Sequence, residues 1–143
     1  MKGDIMSNFV YEFFKPETLE HPVLDYLREI LEILNEDYLN TIAENYGIDS
    51  NSYTRNQIID MLSTKIPGDF RNNIMQFNPV EHKSFNEFYK GMIDYSDENV
   101  YINLKRFSKM GLIFLFTENG GKLYNFRIPE EICEIYDEML RLG

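Results

Sequence analysis

The sequence predicts a mainly α fold with one β-hairpin (α+β): a helical hairpin, further helices, the β-hairpin and a closing helix. Three observations carry this reading. Apolar residues recur at helical spacing through most of the chain. Asn119-Gly120, a strong hairpin-turn signal, separates two strand-like runs, "LIFLF" and "LYNFRI". Gly or Pro punctuates the periodic segments where helices should start or stop. At 143 residues, with 43% hydrophobic and 15% aromatic, the chain suits one ordinary domain or two small ones sharing a core.

Residues 1–21 read as an N-terminal extension in which "NFVYEFF" is either a strand or a helical turn, stopped by Pro16. Residues 22–67 form a helical region. Pro22 suits a first helical turn, and Val23, Leu24, Leu27, Ile30, Leu31 and Leu34 make one apolar stripe. Asn35 caps the next helix, with Glu36 and Asp37 facing its dipole; Tyr38, Leu39, Ile42, Ala43 and Tyr46 are its buried side, and Gly47 ends it. Thr54 and Gln57 form a capping box for a helix burying Ile58, Ile59, Leu62 and Ile66, with Pro67-Gly68 as the expected stop.

The second region spans 68–143. Asp69 caps a short helix holding Phe70, Ile74 and Phe77. Asn78, Pro79 and Glu81 open another, with Phe85, Phe88, Tyr89 and Met92 inward. Ser96, Asp97 and Glu98 start a helix that runs to Met110 and closes at Gly111. After the hairpin, Pro129, Glu130 and Glu131 begin a last helix carrying Ile132, Ile135, Tyr136, Met139 and Leu140.

The segments "LNTIAENYGI" and "TRNQIIDML" resemble SAP and Rho N-terminal-like modules, where a helix ending in Gly plus an aliphatic residue leads to a second helix. "NLKRFSKMGLIF" and "YNFRIPEEI" resemble the winged-helix domain associated with bacterial XPB-type helicases. The likeness covers about residues 36–140. It implies a SAP-like helical hairpin plus a winged-helix-like domain, the accessory part of a helicase system. The phosphate-cradling G-x-x-x-x-G-K-[ST] loop of a motor does not occur.

Charge weighs against nucleic acid as the main partner. The net charge is −10, whereas duplex binding draws on clustered cations that displace counterions. Between Asp97 and Ile128 the balance reverses locally. Lys105, Arg106, Lys109, Lys122 and Arg127 face three acidic residues there, a charge of +2 that leaves −12 for the rest. On a helical wheel Val100, Leu104 and Phe107 face inward, while Ile102, Lys105, Arg106 and Lys109 share the outer face. Lys122 belongs to the hairpin turn, where a wing would meet phosphate. Those cations also suit a solvated helix face near its C-terminus, and Ile102 among them suits a protein interface. The lone cation of the SAP-like loop, Arg55, lies among Glu44, Asp49 and Asp60.

The preferred reading is therefore a non-enzymatic module that binds a protein partner through Ile102, Lys105, Arg106, Lys109 and Lys122. A weak DNA-binding accessory using the same cations is the alternative, and a small hydrolase built from distant carboxylates is a third class. No catalytic, cofactor or metal residues are assigned. His21 and His82 show no zinc spacing, and Cys133 reads as a core thiol with no basic neighbour evident in sequence. A single cysteine excludes an internal disulfide framework. The absence of any apolar run near the roughly 20 residues of a membrane span, and of a continuous leader-like apolar segment, points to a cytoplasmic protein. Abundant Asn, Ile, Tyr and Lys point to an AT-rich bacterial genome.

Overall fold

The computed structural model describes residues 17–94, 96–118 and 123–143, the last from backbone alone at 123 and 124. Among them are six α-helices: α1 (Leu27–Ile33), α2 (Glu36–Asn45), α3 (Arg55–Met75), α4 (Pro79–Lys90), α5 (Glu98–Lys109) and α6 (Glu130–Leu142). The strands are β1 (Thr18–Glu20), β2 (Phe114–Glu118) and β3 (Leu123–Arg127). The α+β class expected from periodicity and turn signals is the class observed. The Asn119-Gly120 turn and "NFVYEFF" lie outside the described residues.

Three of the caps read from sequence are present because they depend on neighbours three residues apart. Asn35 accepts from the Tyr38 N–H at 2.8 Å. Thr54 with Gln57 and Asn78 with Glu81 form reciprocal capping boxes. Gly47, Gly91 and Gly111 adopt the left-handed conformation at helix ends.

Two boundaries differ from expectation. Helix α1 begins at Leu27 rather than near Pro22, and Val23 is exposed. The preceding residues are tied elsewhere: the His21 N–H donates to the Thr117 carbonyl, and the Asp25 carbonyl accepts from the Glu130 N–H. Its start is capped from across the fold, since the Glu131 carboxylate accepts from the Leu27 N–H at 3.0 and 3.2 Å. Glu131→Ala is therefore expected to cost about 1 kcal/mol, the usual worth of a lost cap, read as a lower denaturant midpoint at unchanged slope.

The second correction concerns Pro67-Gly68, the expected stop and the boundary between the 22–67 and 68–143 regions. Helix α3 runs through both residues to Met75, so that boundary falls inside a continuous helix and Asp69 pairs with Lys65 instead of capping. Proline in a helix interior costs about 3 kcal/mol through the lost bond to the carbonyl of Ser63. Leu62, Ile66, Phe70 and Ile74, each four residues apart and at most 2% exposed, outweigh it. Burial of such side chains contributes roughly 1.5–3 kcal/mol apiece.

The third difference is a strand that periodicity missed. Leu19, buried between two exposed neighbours, places β1 parallel to β2, and β3 pairs antiparallel on the other side, giving the order β1-β2-β3. The expected hairpin is thus the larger part of a three-stranded sheet. Central β2 is buried on both faces from Phe114 to Thr117. One contiguous core joins Leu19, the stripes of α1 to α3, the aromatic side of α4, Val100, Leu104 and Phe107 of α5, and Ile132 and Tyr136 of α6. Leu140, expected inward, is exposed.

Candidate docking surface

Helix α5 is held by its inward face and its C-terminal carbonyls, which leaves its outer face presented rigidly. Helix ends leave carbonyls unsatisfied, and α2 supplies the donors here. Asn45 Nδ2 donates to the Lys109 carbonyl at 2.7 Å, and the Tyr46 hydroxyl donates to the Met110 carbonyl at 2.6 Å. The Tyr38 hydroxyl lies 2.7 Å from the Ser108 hydroxyl and donates to the Ser108 carbonyl at 3.2 Å. These partners are 64 to 70 positions apart, so no local sequence signal announces them.

Burial pushes the Tyr38 phenol well above its usual range, the Ser108 bond only partly opposing it. Burial, reinforced by Asp69, does the same to Tyr46. A raised folded value means that the folded state keeps a proton the unfolded chain releases. The resulting stability is complete below the unfolded tyrosine value of about 10 and is lost as pH rises above it. Urea midpoints should accordingly fall on going from about pH 9 to about pH 11, and less steeply in Tyr38→Phe.

The predicted outer face divides on inspection. Arg106 pairs with Glu81, whose side chain is only 7% exposed, and its guanidinium lies 5.9 Å from the Phe77 ring centroid. It neutralises a buried carboxylate between α4 and α5 and is not a free cation. Arg127 is similarly committed, to Asp25 at 3.1 Å and Glu130 at 2.7 Å. Arg55 donates to the carbonyls of Leu31, Glu32 and Leu34, closing the end of α1. Lys122 lies outside the described residues. Among the described cations, only Lys90, Lys105 and Lys109 make neither an ion pair nor a bond to a carbonyl.

Lys105 and Lys109 stand one turn apart between two clefts. One, of about 180 Å³, also contains Asp37 and Glu17, which oppose the lysine charge on that side. The other is a shallow groove of about 620 Å³ lined by Asn45, Ile102, Lys105, Arg106, Lys109 and Met110. Ile102 is 39% exposed there. The structure therefore brings together Ile102, Lys105, Arg106 and Lys109 as expected. It adds Asn45 and Met110, which sequence reasoning missed because Asn45 reaches the site only through the α2–α5 packing.

Cys133 is half-buried and has a basic neighbour after all: Arg127 Nη1 lies 3.7 Å from its sulfur. Burial still raises the thiol above its usual range, outweighing Arg127, and the thiol donates to the Ile128 carbonyl at 3.4 Å. Among the described residues no three His, Cys, Asp or Glu side chains gather as a metal would require. No helix there is long and apolar enough to cross a membrane. No protein-family profile, curated protein or solved structure matches this chain.

Proposed function

We propose that this chain is a non-enzymatic interaction module that binds another protein through the outer face of α5. The supporting observation is the groove around Ile102: an exposed aliphatic side chain flanked by two uncommitted lysines on a helix whose far end is locked by α2. Apolar side chains set among polar ones on a rigid, concave surface are the usual centre of a protein contact. The winged-helix likeness belongs to the same proposal, with α5 and the β2–β3 ribbon as its docking end. A cytoplasmic, bacterial setting goes with it, on the single half-buried thiol and the composition.

Affinity-tagged wild-type protein should retain a partner that Ile102→Asp loses and Lys90→Glu keeps, with circular dichroism unchanged in both. Retention by Ile102→Asp sinks this reading.

A weak DNA-binding accessory is the second reading, favoured by the same pair of lysines. Commitment of Arg106, Arg127 and Arg55 to structure leaves far fewer cations than the roughly six to ten phosphate contacts behind strongly salt-dependent binding. On the DNA reading, duplex affinity falls steeply with salt and vanishes in Lys105→Glu/Lys109→Glu. On the protein reading, duplex binding is absent or indifferent to that change.

A further inference from the structure

Resting on the protein-docking reading, we infer that the groove along α5 takes an acidic peptide segment bearing an aliphatic anchor. The charge lining this groove is the reverse of the molecule's. It carries Lys105, Arg106 and Lys109 and no carboxylate, on a chain of net charge −10. Each of three other clefts on the described surface includes at least one carboxylate: Glu17 and Asp37, Asp60 and Asp69, or Glu87. Most cations elsewhere are already paired, whereas Lys105 and Lys109 face this groove without an ion pair among the described residues. Complementary charge steers encounter and rejects wrong partners, and does so locally because screening confines it to about 8 Å in physiological salt.

The apolar element distinguishes a peptide from a nucleic acid. Ile102 and Met110 add apolar lining to the groove on either side of the cations in sequence, which matches a side chain such as Leu and gives a phosphate backbone nothing to bind. Arg106 keeps about half its side chain exposed, but Glu81 already neutralises it, so it orients a carboxylate more than it attracts one. Lys105 and Lys109, about 6 Å apart along the helix axis, set the spacing of the carboxylates recognised. A long polyanion would also run onto the acidic remainder of the surface, whereas a short segment stays within the groove.

The test is fluorescence anisotropy with the intact chain and four labelled probes: a helical Leu/Glu peptide, the same peptide with every Glu replaced by Gln, the same with every Glu replaced by Lys, and a short DNA duplex. The Leu/Glu peptide should bind best, weakening about tenfold between roughly 50 and 300 mM salt and by a similar factor in Lys105→Glu/Lys109→Glu. Ile102→Asp should weaken it as much, and Lys90→Glu should leave it unchanged. Equal, Ile102-dependent binding of the Gln peptide overturns the acidic partner while leaving the docking face standing. Peptide binding that ignores both Ile102 and the lysine pair overturns both. Tight, lysine-dependent binding of the duplex with none of the Leu/Glu peptide overturns both in favour of nucleic acid.

Discussion

Phe107→Ala is expected to lower unfolding free energy by about 3–5 kcal/mol, the usual cost of truncating a fully buried aromatic. Phe107 is 0% exposed and belongs to an aromatic cluster. It stacks on Phe77 at 5.1 Å and meets Phe85 and Phe88 edge-on at 5.6 and 6.1 Å. Neighbouring rings on three sides cannot all collapse into the space, so the cavity term persists. A domain of this size should lose roughly 10–20 °C of melting temperature in calorimetry. Phe107→Leu should lose much less, because most of the volume remains. The cluster also reaches the surface: Phe77 meets both Phe107 and the guanidinium of Arg106. Loosening it should broaden the position of Arg106 and weaken docking as well as stability.

Gly111→Ala carries the second-largest expected effect, about 2–5 kcal/mol. Two costs coincide there. Gly111 has φ of 70°, a conformation that costs a residue with a Cβ about 1 kcal/mol or more. An added Cβ would stand 2.6 Å from the Cδ1 methyl of Ile66, itself 0% exposed, adding an overpacking cost of about 1–3 kcal/mol. Gly47 is the internal control. It has φ of 73° but nothing within 4 Å of the added atom, so Gly47→Ala should cost only the backbone term. Ile66→Val removes the clashing methyl, and in that background Gly111→Ala should cost about 1–2 kcal/mol less than in wild type. Chemical denaturation of the four proteins in the cycle measures this directly. Gly111 also sets the exit of α5 into β2, so the same position fixes the angle at which the docking helix meets the sheet.

What was legible in the sequence depended on range. Asn35, Thr54 with Gln57, and Asn78 with Glu81 act within one helical turn, and each was readable because its partner lies three residues away. The outer face of α5 was readable for a related reason: helical periodicity alone places Ile102, Lys105, Arg106 and Lys109 together. Pro67 misled because a local rule was weighed without its opponent. The stripe from Leu62 to Ile74 is visible in the sequence, yet its burial depends on packing. Strand β1 is three residues long and pairs with a strand 97 positions further along the chain, so no periodicity betrays it. The commitments of Arg106 to Glu81, Arg127 to Asp25 and Arg55 to the end of α1 are likewise tertiary. Among the described residues, the commitments of Arg106 and Arg127 leave Lys105 and Lys109 as the unpaired cations of the Asp97–Ile128 stretch, the main change the structure makes to the functional reading.

The most direct measurement is a set of ¹H–¹⁵N correlation spectra of the labelled chain titrated with the Leu/Glu peptide. Shifts concentrated at Asn45, Ile102, Lys105, Lys109 and Met110, and reduced by added salt, are the expected result. Shifts confined to other surfaces, or none at saturating peptide, contradict a docking face on α5.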